Sequence, residues 1–308
     1  PLLTAVNAVV PALVAGNVVI LKHSDQTPLC AERFSAAAVQ AGLPRGVLQH
    51  VHASHPAVAE MVADDRIDHV CFTGSVGGGR AVQQAASARF IGVGLELGGK
   101  DAAYIRPDAD LAFTCPNIVE GALFNSGQSC CAIERVYVHT DVYDAVLEGL
   151  AAALGDWRMG DPRDPEVWLG PVVRTRNAQL IRGQVDAALA TGARDLVPPA
   201  HDDDRSTAFV QPRILVDVDH RMEVMREETF GPVLGLMRVR SDAEAIAHIN
   251  DSAFGLTASL WSADTEASAA IAPALDVGTV FLNRCDYLDP ALAWAGVKAS
   301  GRGVTLSS

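Results

Sequence analysis

Read for apolar and polar positions, the first hundred residues repeat one unit: a short run of β-branched residues, a Gly- or Pro-containing turn, then apolar residues at helical spacing. Leu2 to Val14 is predicted to be a buried helix, and Asn17-Val18-Val19-Ile20-Leu21-Lys22, an apolar run after a glycine, a buried parallel strand. In the next helix Thr27 is placed at the N-cap and Pro28 at the first helical position. Leu29, Phe34, Ala37, Ala38 and Ala41 form its apolar face, and Gly42-Leu43-Pro44 its stop. Val47 to Val51 and His69 to Phe72 read as the following strands and Arg80 to Ala88 as a helix. From Asp101 the pattern restarts, with a strand at Arg135 to His139, a helix at Val142 to Leu154 and further units as far as Leu282. Alternating strand and helix predicts a doubly wound α/β fold with ligands beyond the carboxyl ends of the strands. We place a domain boundary near Gly98, giving 1–98, 99–298 and a short last segment, 299–308.

Composition narrows the classes. The chain has 308 residues, enough for two domains, and its 49% hydrophobic and 20% charged content is that of a folded protein. A net charge of −13, with no block of Lys and Arg, argues against a nucleic-acid or anionic-membrane surface. Asn7, Pro11, Gly16 and Asn17 break the apolar stretches short of the roughly 18 residues of a membrane span. Cys30, Cys71, Cys115, Cys130, Cys131 and Cys285 show neither C-x-x-C spacing nor the density of a disulfide scaffold, so a reducing, cytoplasmic setting and no metal are expected. Asp202-Asp203-Asp204 reads as a solvated loop. The chain opens at Pro1 with no initiator methionine, which points to a fragment.

Two segments carry candidate chemistry. Glu96 stands before Leu97-Gly98-Gly99-Lys100, and Cys130 closes the small polar loop Asn125-Ser126-Gly127-Gln128-Ser129. A thiol attacks as thiolate, and a carboxylate shielded from water trades protons near neutrality. By themselves these residues also fit a packed Cys-Cys pair and a glutamate that caps a loop or pairs with Lys100. Thr73-Gly74-Ser75-Val76-Gly77-Gly78-Gly79 lies between a strand and a helix, where backbone amides can face a phosphate; a tight turn explains it equally well.

In four places, in the same order, the chain resembles the NAD(P)-dependent aldehyde dehydrogenase superfamily. These are Leu95 to Lys100 for L-E-L-G-G-K, Gly127-Gln128-Ser129-Cys130 for G-Q-x-C, Glu227 to Val233 for E-E-x-F-G-P-V, and Asn250 to Leu256 for N-x-x-x-(Y/F)-G-L. The resemblance implies a cofactor domain of Rossmann type, a catalytic domain, and oxidation of an aldehyde to a carboxylate through a cysteine thiohemiacetal and thioester. It makes Cys130, rather than Cys131, the nucleophile and Glu96 the base that activates water. It assigns Lys22 and Asp25 to the adenosine ribose, Gly74 and Ser75 to the pyrophosphate, Leu97 to the cofactor, and Glu228 and Phe230 to the nicotinamide ribose and ring. The family's K-P-S-E stands here as Lys22-His23-Ser24-Asp25. A carboxylate there repels a 2′-phosphate, so NAD is expected, with NADP left open.

The chain departs from the family at Ala8, where a lysine is common, and at Ala293 to Gly301, where P-F-G-G-x-K-x-S-G is usual. Trp294, Arg284 and Cys285 are assigned to the substrate entrance; Arg284 suits an acidic aldehyde and equally a pairing with Asp286. The family's oxyanion asparagine lies upstream of Pro1. Its absence leaves as rivals a non-catalytic cofactor-binding or assembly fragment and, within the enzyme class, an acylating coenzyme A-dependent dehydrogenase. The expected partner is a small aldehyde, and the full-length protein is expected to be a homo-oligomer.

Overall fold

A computed structural model describes residues 1–199 and 204–306. Asp202 and Asp203 of the acidic run fall outside the described residues. Helix α1 spans Leu2–Val14, strand β1 Val19–Leu21, helix α2 Pro28–Gln40 and strand β2 Leu48–His50. Helix α3 (His55–Ala63), strand β3 (His69–Thr73), helix α4 (Val76–Ala86) and strand β4 (Gly92–Glu96) follow. Next come β5 (Asp101–Ile105), α5 (Leu111–Leu123), β6 (Ile133–His139), α6 (Tyr143–Leu154), α7 (Thr175–Ala190), β7 (Arg194–Asp195), β8 (Arg213–Val216) and β9 (Val233–Val239). The last elements are α8 (Asp242–Asn250), β10 (Phe254–Gly255), β11 (Thr257–Trp261), α9 (Thr265–Ile271), β12 (Thr279–Leu282), β13 (Val297–Lys298) and β14 (Gly301–Arg302). Among the described residues no helix is long and apolar enough to cross a membrane.

The chain divides into two compact units. The first holds Pro1–Leu97, Leu288–Ala295 and Gly301–Ser308, the second Gly98–Tyr287 and Gly296–Ser300. Residues 288–295, which the sequence reading kept within 99–298, thus pack with the first unit.

In the first unit β1 and β2 pair in parallel, β3 and β4 pair in parallel, and β14 adds antiparallel to β4. Helix α1 forms where expected, yet only Val9 is buried, and Leu3 (72%) and Val14 (84%) are exposed. Strand β1 is shorter than the apolar run that announced it, and Val18 and Ile20 are exposed. Thr27 stands at the α2 N-cap position but its hydroxyl caps nothing; the buried positions of α2 are Ala31 and Ser35, while Leu29 is exposed. Periodicity alone does not say which side of a small-residue helix meets the sheet. Helix α4 begins at Val76, four residues before the expected start, because Ser75 caps it: its Oγ accepts from Gly78 N–H at 3.2 Å.

In the second unit a seven-stranded sheet runs β12-β11-β5-β6-β9-β8-β7, parallel except for β7. Strands β5 and β11 are buried along their whole length, as expected for a parallel sheet covered on both faces. One core cluster, on Tyr104, Ile181, Leu215, Val224 and Met225, is distinct from a second on Ile105, Ile118, Val136, Leu150 and Trp261.

Candidate active site

The cysteine loop is built on strained backbone. Asn125 (φ 53°), Ser126 (φ 57°) and Gly127 (φ 70°) are consecutively left-handed, a conformation that costs roughly 1–3 kcal/mol at each non-glycine residue unless its surroundings hold it. The surroundings do hold it. Ser126 Oγ donates to Gly170 O at 2.9 Å, Asn125 Nδ2 to Gln128 O at 3.1 Å, and Gln128 Nε2 to Asn125 O at 3.0 Å. Gln128 Oε1 accepts from Val173 N–H at 2.8 Å. Glycine is required at 127 twice over, by its φ and because a Cβ there would overlap the Gly231 carbonyl.

This loop delivers Cys130 partly exposed and Cys131 buried, both as free thiols. Cys131 Sγ lies 2.8 Å from Asp286 Oδ1 and 3.4 Å from Ser129 Oγ. Its hydrogen bond with the Cys130 sulfur, and then burial, hold the Cys131 thiol well above its ordinary pKa. Cys131 is therefore a masked thiol held in its protonated form, whereas Cys130 is partly exposed.

Gly98 and Gly99 have separate reasons to lack side chains. A Cβ at Gly98 would fall on the Glu228 carboxylate, and one at Gly99 on the Cys130 carbonyl oxygen. Gly99 N–H donates to Glu228 Oε1 at 3.0 Å. Burial, with the nearby Glu134 charge, pushes Glu228 up to about 7.

Sequence reasoning missed the group that shapes this wall. Glu134, on β6 and buried, accepts from Phe230 N–H at 2.8 Å, from Thr229 N–H at 2.9 Å and from Lys100 Nζ at 2.5 Å. Lys100 Nζ also donates to Thr229 Oγ1 at 2.9 Å, and Thr229 Oγ1 donates to Gln184 Oε1 at 2.7 Å. The carboxylate thereby fixes the backbone that carries Glu228 and Phe230, whose own φ is left-handed at 51°. Lys100 is taken up by Glu134, which removes it as a partner for Glu96. An acid beside Arg135 in a strand was visible in the sequence, but nothing local tied it to residues 228–230.

In the first unit Glu96 ends β4. Its Oε2 accepts from Trp294 Nε1–H at 3.1 Å and its Oε1 faces Thr305 Oγ1 at 3.4 Å. Burial pushes the carboxyl up to about 7, against the two hydrogen bonds, which pull it down. Trp294, which the sequence assigned to the substrate entrance, is buried with its N–H on this carboxylate. Thr305 was not singled out at all.

The same unit holds the loop between β3 and α4. Gly74 N–H donates to Glu96 O at 3.0 Å, and Cβ atoms at Gly74 and Gly78 would strike the Phe72 ring. Leu97 is buried against Val82 and Leu95, and it occupies the space a Cβ on Gly79 would need. Ser75 caps α4 and leaves open space at Gly77, so the amide-bearing end of an 11-residue helix can receive an anion. Lys22 and Asp25 follow β1, with Asp25 Oδ1 held by Gln26 Nε2 at 3.1 Å. These features fit a dinucleotide: a helix N-terminus for a pyrophosphate, and a lysine and an acid at a strand end for a ribose.

In the second unit the guanidinium of Arg284 lies 3.6 Å from the centroid of the Tyr287 ring, while Asp286 is engaged by Cys131. Cys285 Sγ sits 3.6 Å from Asn117 O and beside Gly121; burial first, then the Asp286 charge, pushes its thiol up to about 12. Of the residues picked from the sequence, Lys22, Asp25, Gly74, Ser75, Glu96, Leu97 and Trp294 thus belong to the first unit, and Cys130, Glu228, Phe230, Arg284 and Cys285 to the second.

These features define an α/β protein whose first unit carries a helix end suited to a nucleotide and whose second unit carries a braced cysteine loop. The chain belongs to the aldehyde dehydrogenase family, whose model matches residues 1–308. It is 34% identical over 305 residues to a geranial dehydrogenase of Castellaniella defragrans, covering 98% of this chain and 63% of that protein. It thus spans less than two thirds of that relative's length. A succinic semialdehyde dehydrogenase from Streptococcus pyogenes, solved in complex with NADP+, superposes with a TM-score of 0.93 at 32% identity, covering 98% of this chain and 66% of the other. A Mycobacterium tuberculosis aldehyde dehydrogenase complexed with NAD+ gives a TM-score of 0.93 at 32% identity over 98% of this chain and 63% of the other.

Proposed function

We propose that this chain carries the chemical groups of an NAD(P)-dependent oxidation of an aldehyde to a carboxylate. The observation that carries the reading is the asymmetry of the Cys-Cys pair: Cys131 is masked by Asp286 and by its neighbour, and Cys130 alone is partly exposed at the end of a braced loop. Cys130, as thiolate, adds to the aldehyde carbon, and its own backbone N–H is the candidate donor to the oxygen on which charge develops. Bound NAD(P) supplies the hydride acceptor in such a reaction. Gly74, Ser75 and the first turn of α4 would hold its phosphates, Lys22 and Asp25 its adenosine ribose, and Glu228 and Phe230 its nicotinamide end.

The thioester left on Cys130 is then hydrolysed. Glu96, its carboxyl raised by burial to about 7, takes a proton from water, and Trp294 and Thr305 hold it in one orientation. A poised base of this kind favours water over coenzyme A as acyl acceptor. Six free thiols fit the reducing, cytoplasmic setting proposed for the protein, and a homo-oligomeric whole protein belongs to the same reading.

The test is formation of NADH or NADPH from a panel of aliphatic, aromatic and acidic aldehydes, with Cys130→Ala and Cys131→Ser run alongside. Activity lost in the first variant and kept in the second is expected. Cofactor binding with no Cys130-dependent turnover would favour the non-catalytic reading.

A further inference from the structure

Outside these residues, three metal-ligating side chains converge on one point of the first unit. Glu32 lies in α2, His50 ends β2, and His52 follows two residues on. The β1–β2 ladder continues past its last named pair, since Val51 N–H donates to Leu21 O at 3.0 Å. The chain therefore stays extended through Val51, and His50 and His52, two residues apart, lie on one side of it. Their ring centroids are 5.6 Å apart and their planes inclined by 55°. His52 Nε2 is 2.9 Å from Glu32 Oε1, and one ligand atom from each of the three residues falls within 4.8 Å of the others.

An ordinary ion pair accounts for His52 and Glu32, but it gives no reason for a second imidazole at the same place. We propose that Glu32, His50 and His52 form a binding site for a borderline divalent transition-metal ion such as Ni2+, Cu2+ or Zn2+. Two imidazoles and one carboxylate match that class, whereas Ca2+ and Mg2+ take sets made of oxygen. With metal–ligand bonds of about 2.0–2.2 Å, tetrahedral ligand atoms sit about 3.3 Å apart. The present spread needs a side-chain adjustment on the order of 1 Å, which exposed rotamers supply. Three protein ligands leave the remaining coordination positions to water. All three side chains are exposed, so no buried partners orient the rings, and a Kd in the micromolar range is expected rather than the much tighter binding of a structural zinc site. Nothing local in the chain links this set, because Glu32 precedes His50 by a helix end, a turn and a strand.

The test is isothermal titration of the full chain with Ni2+, chosen because thiolate-seeking ions would also report on the six cysteines. One Ni2+ per chain, weakened at least about tenfold in His50→Ala and again in His52→Ala, with a smaller loss in Glu32→Gln, is expected. All three positions are exposed, so the variants should keep the far-ultraviolet circular dichroism of the parent. Binding unchanged by either histidine substitution, tighter binding of Mg2+ than of Ni2+, or no Ni2+ binding below 1 mM would each overturn the proposal. A Cu2+ spectrum by electron paramagnetic resonance gives a second reading: two nitrogen ligands in the parent and one in His50→Ala.

Discussion

The Glu134 carboxylate receives the main-chain N–H of Phe230 at 2.8 Å, across 96 residues of sequence, and holds that residue in a left-handed conformation. The same carboxylate neutralises Lys100, which is buried. Removing one partner of such a pair leaves an uncompensated buried charge, at a cost of about 3–5 kcal/mol. Glu134→Ala should lower the denaturation midpoint accordingly, and NADH titration should show weakened binding, because residues 228–230 lose their anchor. An unchanged NADH affinity in a folded Glu134→Ala protein would show that the anchor matters only for stability.

Glu96 sets a pH dependence. Its carboxyl titrates near 7, so its basic form declines as the pH falls below that value. The steady-state rate should fall on the acid side of about pH 7. Glu96→Gln should abolish turnover while leaving one burst of NADH per Cys130, since thioester formation does not need the base. A Glu96→Gln enzyme that cycles repeatedly in water would remove Glu96 from the hydrolytic step.

Trp294 donates to the Glu96 carboxylate. Its indole N–H stabilises the ionised carboxylate, and a hydrogen bond to a charged group contributes roughly 1.5–3 kcal/mol. Trp294→Phe keeps a ring but loses the donor. The apparent pKa of the rate profile should move up by roughly one to two units. An acid limb that does not move would mean that Thr305 and burial alone set the value.

Glu96 and Glu228 also make stability depend on pH, in a direction opposite to that of a salt-bridged carboxylate. Both are raised from an ordinary value of 4.5 to about 7 in the folded protein, so between those values the native state binds more protons than the unfolded chain. Their contribution to stability is full below pH 4.5 and is lost as the pH rises towards 7. Glu228→Gln removes one such term. Measured by urea denaturation, the stability of Glu228→Gln relative to the parent should increase between pH 5 and pH 8; a constant difference would argue that Glu228 titrates normally.

Much of the site was legible because it is local. Gly127 and Cys130 belong to one short glycine-containing loop, and Ser75 lies in the glycine-rich turn between a strand and a helix, although its capping of α4 was not anticipated. The pairings that tune the site were not legible. Trp294 meets Glu96 across 198 residues and Glu134 meets Thr229 across 95, and a single sequence carries no trace of which distant chain segments become neighbours. The fold followed the same division. Alternating strands and helices were visible, whereas the buried side of α2 was not, because a helix rich in alanine offers nearly the same surface on several sides.

The bracing of residues 228–230 has a thermodynamic consequence for any ligand that Glu228 holds. Gly99, Lys100, Glu134 and Gln184 have already fixed this segment, so a ligand arriving there has little conformational entropy left to remove. Affinity on this side of the site is then governed by contact and desolvation, with the ordering completed when the chain folds.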